Sequence, residues 1–336
     1  MVSAVGNQFF TLPFRAPLPL EDLELKAASS WPVASPIQLE SGRRIAQGST
    51  PTRAPTDQEL RPDPPTRRKT DVQVPVGSDG RIKGTTLDLT SQLLAKNQGV
   101  FIGEKHKNTM ARDFLRDNMS SLKSQGVKAV FLECIEKKNQ GFVDAFYQAK
   151  TPADEQKALA RLESVLQSTW GHDPKGYVAL MQSAKQNGVR VFGIDERKGP
   201  FAGRVPEDTT RETTWRNQFW ARTTNEVMSK EFSNRDKFVL LGGNAHSAAK
   251  VSYANPGEGG NRETVPMYGA DHALQIPSIR FVLPEETKMA GRELQPGGYP
   301  TNKTPFSQEA ADYFVIGRDQ GVGGRSKLPR MGEQFE

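Results

Sequence analysis

Four short apolar runs, each beside a glycine and separated by stretches of helical spacing, constrain this chain more than any other feature. They are Gly-Val-Phe-Ile at 99–102, Lys-Ala-Val-Phe-Leu-Glu at 128–133, Val-Arg-Val-Phe-Gly-Ile at 189–194 and Lys-Phe-Val-Leu-Leu at 237–241. Runs this short and this uniformly apolar are strands covered on both faces, and strands that alternate with helices assemble into a largely parallel sheet. Helices are predicted over 108–125, 139–149, 152–168, 174–187 and 211–232. In the first, Met110, Phe114, Leu115, Met119 and Leu122 recur at helical spacing, and Gly126 and Gly188 stand where helices end. Shorter strands are expected at 263–268, 278–283 and 312–317. The glycine-rich stretch 252–263 reads as a surface loop.

Composition matters for what surrounds this pattern. Hydrophobic residues make up 35% of 336 residues and mean hydropathy is -0.62, low for a chain packed throughout. Residues 1–95 hold 11 of the 23 prolines, densest at Pro62-Asp63-Pro64-Pro65-Thr66-Arg67-Arg68-Lys69, with no sustained period. The expected fold is therefore α/β, a central mostly parallel β-sheet flanked by helices on both faces, preceded by a long disordered N-terminal region. The expected divisions are a Pro/Ser-rich leader over 1–95, the α/β domain over 96–320 and a flexible tail over 321–336.

Several function classes drop out. No basic segment followed by an apolar one marks a cleavable signal peptide, and no run approaches the roughly 18 apolar residues of a membrane span. The single cysteine, Cys134, cannot form an internal disulfide and reads as a small buried apolar residue. Net charge is +6, with bases interspersed among acids rather than gathered into a stripe, so nucleic acid is not an expected partner. Arg67-Arg68-Lys69, and Lys105 with Lys107, leave room for an anionic partner or peripheral membrane contact.

Two of the four histidines occupy equivalent places. Gly103-Glu104-Lys105-His106 and Gly243-Asn244-Ala245-His246 each follow a predicted buried strand. Glycine lets the chain turn sharply out of a sheet, and the histidine three residues on then stands in the crevice beyond the strands' carboxyl ends, where open α/β sheets bind ligands. Parallel strands bring Glu104, His106, Glu133, Asp195, Glu196 and His246 to the same edge. Such a set supports two chemistries, which the sequence leaves open. His106, His246 and Glu133 can hold a divalent metal that activates water. Alternatively, a histidine or glutamate is general base and an arginine stabilises the oxyanion without a metal. His172, in Trp170-Gly171-His172-Asp173-Pro174, reads as a structural or exposed turn residue.

These residues carry a resemblance. Phe101-Ile102-Gly103-Glu104-Lys105-His106, the strand with Glu133, Gly193-Ile194-Asp195-Glu196, Arg216-Asn217-Gln218-Phe219-Trp220-Ala221 and Leu241-Gly242-Gly243-Asn244-Ala245-His246 occur in the order seen in the TIKI/TraB superfamily. That group includes erythromycin esterases, ChaN-like haem-uptake proteins and a domain of Pasteurella-type mitogenic toxins. The resemblance spans about 98–250 and implies site roles for Glu104, His106, Glu133, Arg216 and His246. It also implies an ester or amide hydrolase, or a non-catalytic module for haem or an anionic head group; haem would need an exposed tyrosine or histidine near an apolar groove, and Tyr147, Tyr177 and Tyr268 are as easily core residues. Asn217 departs from it, since an aspartate commonly follows the family's arginine. The leader, together with the toxin branch, makes a type III-like effector the expectation, secreted into a host cell without a cleavable signal. Its target would be a host protein or small molecule, and a secretion chaperone would bind the leader. The rival is a bacterial cytoplasmic enzyme.

Overall fold

A computed structural model of the chain describes residues 72, 74–106, 108–197, 206–247, 250–254, 262–266, 269–304 and 311–317. Most of the expected leader, the tail over 321–336, Lys107 and Tyr268 lie outside the described residues.

The four apolar runs are strands β1 (Gly99–Glu104), β2 (Val127–Glu136), β3 (Arg190–Asp195) and β4 (Lys237–Gly243). Beyond them come β5 (Lys250–Ala254), β6 (Arg262–Pro266), β7 (Ser278–Val282), β8 (Gly297–Pro300) and β9 (Tyr313–Ile316). One seven-stranded sheet has the order β3-β2-β4-β1-β7-β9-β8, parallel throughout except for the β8–β9 edge.

Helices cover both faces. Those described are α1 (Thr86–Lys96), α2 (Met110–Asp117), α3 (Met119–Ser124), α4 (Gln140–Gln148), α5 (Pro152–Thr169), α6 (Pro174–Gln186), α7 (Pro206–Glu231), α8 (Ala270–Leu274) and α9 (Pro284–Met289). Successive side chains of a strand point to opposite faces, and the core divides accordingly. Val100 and Ile102 pack with Leu93, Leu115, Leu162 and Met181 of the α1–α6 layer, whereas Phe101 packs with Trp220 and Met228 of α7. Burial on both faces is why these strands read as unbroken apolar runs.

Local chemistry fixes the helix starts that matter for the site. Thr151 caps α5, accepting from the Asp154 N–H at 3.1 Å, with Pro152 in the first turn. Asp173 caps α6 from a left-handed conformation (φ 42°), accepting from the Gly176 N–H at 3.2 Å.

The structure corrects four expectations. The folded part begins before residue 96: α1 carries Leu89, Leu93 and Leu94 into the core behind a Thr85–Asp88 capping box. The helix expected over 108–125 breaks at Asn118, whose main-chain and side-chain N–H groups both bond to Phe114 O, at 3.1 and 2.8 Å. The candidate at 263–268 does not join the main sheet. It contributes to β6, which pairs antiparallel with β5, so the two ends of the expected surface loop 252–263 are strand and its middle, 255–261, is outside the described residues. Finally, β2 runs on past Glu133 to Glu136 with a register irregularity after Leu132, so Glu133 lies inside a strand rather than at its end.

Candidate active site

The parallel register sets β1 beside β4, pairing Gly103 with Gly242 and Glu104 with Gly243, so the two Gly-x-x-His segments leave the sheet side by side. They interlock. A Cβ placed on Gly103 would come within 2.5 Å of Asn244 Oδ1, and one on Gly243 within 2.7 Å of His106 Cε1 and 2.8 Å of His106 Nε2. Each glycine thus makes room for a side chain of the other segment. Real Cβ contacts are not this short, so glycine here is required by close approach.

Glu133 is the hub of the inner half of the crevice. Its Oε2 accepts the Gly243 N–H at 2.5 Å, and its Oε1 accepts from Arg216 Nη2 at 2.9 Å and faces His246 Nε2 at 3.2 Å. Burial by itself would raise the pKa of Glu133. His246, Arg216 and His106 reverse this and hold the carboxyl well below the usual carboxylate range. Behind it, Asp195 at the end of β3 is fully buried and accepts from Arg216 Nε (2.8 Å), Arg216 Nη2 (2.7 Å) and Trp220 Nε1 (2.9 Å). His246 stacks on Trp220 with ring centroids 4.1 Å apart, and its Nδ1 is 2.5 Å from Asn217 Oδ1. The departure at position 217 therefore stands in contact with the second motif histidine.

The outer half is built around His106, a third of whose side chain is exposed. Its Nδ1 lies 3.4 Å from Glu104 Oε1. A carboxylate can only accept, so Nδ1 carries the proton and Nε2 turns toward Gly243 and Glu133. Burial works against protonation of His106. The bond to Glu104 and the charges of Glu133 and Glu104 outweigh it and lift the pKa above 6.5. Glu104 is itself fully enclosed, bonded by the Tyr177 hydroxyl at Oε1, with Arg112 Nη1 3.6 Å from Oε2. Trp170 meets the His106 ring edge-on at 4.5 Å, and His172 stacks over it at 5.8 Å with the planes only 11° apart.

All five residues singled out in the sequence, Glu104, His106, Glu133, Arg216 and His246, thus gather at one sheet edge, as does Asp195. His272 is elsewhere, on α8 beside Asp271. Sequence reasoning missed Arg112 and Trp170, weighed Tyr177 only for haem, quoted Trp220 only as part of the resemblance, and set His172 aside. The available signal was the Trp-Gly-His-Asp-Pro turn between α5 and α6, dense in side chains that rarely cluster in a solvated turn.

The residues expected to hold a metal do not fit one. The Glu133 oxygens are committed to a guanidinium, a main-chain N–H and an imidazole, and among the described residues no group of three or more His, Cys, Asp or Glu is arranged around a cation position. For haem, two of the obvious ligations are not met among the described residues. Tyr147, Tyr177, Tyr299 and Tyr313 each donate their hydroxyl to another group of the protein. His106 and His172 stack in nearly parallel planes, so their ring lone pairs do not face each other across an iron position.

A protein-family model described as haem-binding uptake, Tiki superfamily, ChaN matches residues 90–200. This segment holds β1 to β3, with Glu104, His106 and Glu133. Among solved structures, the chain is similar to the type III effector HopBA1, at 16% identity over 75% of this chain and 99% of that one, TM-score 0.49. It is also similar to a variant of the erythromycin esterase EreC in its open conformation, at 9% identity over 71% and 98%, TM-score 0.47. A third similar structure is RRSP, a MARTX toxin effector domain from Vibrio vulnificus CMCP6, at 19% identity over 71% of this chain and 38% of that one, TM-score 0.43. No curated protein sequence matches.

Proposed function

We propose that this Tiki-like chain is a hydrolase of ester or amide bonds that works without a metal, with His106 as general base. The observation that carries this reading is the Glu104–His106 pair. A buried carboxylate orients a partly exposed imidazole through Nδ1, which leaves Nε2, beside Gly243, as the ring atom that can take a proton. In this reading His106 Nε2 takes a proton from water as the water attacks a carbonyl carbon. The imidazolium so formed lies beside the tetrahedral intermediate, and its proton passes to the leaving oxygen or nitrogen. Glu133, ordered by Arg216, His246 and the Gly243 N–H, supplies the negative charge that supports the imidazolium. Arg216 is occupied by two carboxylates, so its part is to order Glu133 and Asp195 rather than to receive the oxyanion.

We further read the chain as an effector delivered into a host cell, acting on a host protein or small molecule. The proline-rich composition of residues 1–71 supports this. Among the described residues no helix is long and apolar enough to cross a membrane.

The test is expression of His106→Ala and His246→Ala in host cells, with folding checked by circular dichroism and metal content measured on the purified proteins. Loss of the biological effect in both folded variants, with no stoichiometric metal in active protein, is expected. Full effect in both variants removes the catalytic reading, and an activity restored only by a metal removes the metal-free one. Haem titration is expected to give no Soret shift; a shift abolished by His106→Ala would favour the binding-module alternative.

A further inference from the structure

Glu104 is claimed by more than His106. Its Oε1 accepts the Tyr177 hydroxyl and also faces His106 Nδ1 at 3.4 Å, so the phenol and the imidazole share one oxygen. Its Oε2 has no hydrogen bond among the described residues but stands 3.6 Å from Arg112 Nη1. Arg112 is 1% exposed, an uncommon state for an arginine, and lies 4.6 Å over the Tyr177 ring. Its Nη2 donates to Asn108 O at 2.9 Å and to His106 O at 3.4 Å, and its Nε is 3.5 Å from Asp173 Oδ2. One buried guanidinium therefore touches the main chain of His106, the carboxylate that orients it, and the turn that carries Trp170 and His172.

We propose that Tyr177 and Arg112 are positioning residues that share the Glu104 carboxylate with His106, and so keep the Glu104–His106 bond long and the imidazole free to cycle its proton. A carboxylate given wholly to His106 would bind the imidazolium more tightly, raise its pKa and hold back the proton that the ring must pass on in the second half of the cycle. The other groups facing His106 are Glu133 from β2 and His172 from the α5–α6 turn; Arg197 packs on the far partner, Trp170, at 4.6 Å. This inference rests on His106 being the base, but its readout needs no substrate, so it fails or survives separately from the hydrolase reading.

The experiment is proton NMR of the His106 Nδ1–H in protein labelled with nitrogen-15 at histidine, assigned by its loss in His106→Gln. Tyr177→Phe is expected to move that resonance downfield as the bond to Glu104 shortens, and Arg112→Met to move it the same way. Protein grown on 3-fluorotyrosine, whose more acidic phenol donates more strongly, is expected to move it upfield without any change of shape. Arg112→Lys, which restores the positive charge, is expected to return it most of the way. An unchanged, upfield or lost resonance in folded Tyr177→Phe overturns the proposal; should that variant not fold, a downfield or absent shift in the fluorotyrosine protein does so.

Discussion

Gly243→Ala is the sharpest probe of how the two motifs meet. Gly243 is not among the residues with positive φ, so the backbone accepts alanine and the only penalty is contact. The new Cβ would sit 2.7 Å from His106 Cε1, 2.8 Å from its Nε2 and 3.3 Å from Glu133 Oε2. Carbon pairs settle near ~3.5 Å, so the ring must retreat by about 0.8 Å. Because a third of it faces solvent, His106 swings outward rather than forcing the strands apart, and the stability cost is expected at the low end of overpacking, about 1 kcal/mol. The chemical cost is larger. A bond already 3.4 Å long does not survive such a displacement, and misplacing a catalytic group by about 1 Å costs ~100-fold in rate. The His106 pKa is expected to fall toward 6.5 as the ring leaves Glu104 and Glu133. Thermal denaturation and an NMR titration of the His106 ring read both quantities. A folded Gly243→Ala protein with the wild-type His106 titration would refute the interlocked geometry.

Two further predictions concern charge. The His106 pKa is raised in the folded state, so its contribution to stability is complete below 6.5 and is lost as pH rises through the folded-state value; Glu104→Gln should weaken this dependence, leaving the part due to Glu133, read as Tm against pH between 5 and 8. Asp195→Ala strips a fully buried carboxylate from Arg216 and from the Trp220 N–H, and should cost roughly 3–5 kcal/mol, measured by urea denaturation, even though Arg216 keeps Glu133. A loss under about 1 kcal/mol would show that the Arg216 network is solvated rather than buried.

Much of the architecture was legible because its cause is local. A strand buried on both faces has to be apolar at every position, so β1 to β4 announce themselves; Gly103 and Gly243 mark where the chain leaves β1 and β4, and Gly126 and Gly188 where helices end before β2 and β3. The same logic placed Glu104, His106, Asp195 and His246, since parallel strands send their carboxyl ends to one edge. Where the expectation slipped, a neighbour outside the window decided the outcome. The α1 helix hid behind proline-rich sequence although Leu89, Leu93 and Leu94 lie on one face, and β5 with β6 left the main sheet to pair with each other.

The sequence by itself determined that two histidines would follow buried strands at one sheet edge, because side-chain period and glycine placement are properties of short segments. Only the tertiary structure decided their unequal fates. His246 is enclosed by Trp220, Asn217 and Glu133, while His106 remains half-open between Glu104 and Trp170. Apart from Glu104, two residues before His106 on β1, those partners come from α7, β2 and the α5–α6 turn, dozens of residues away along the chain. Which donors reach a carboxylate, and how many share it, is set by packing across the sheet and not by spacing along the polypeptide.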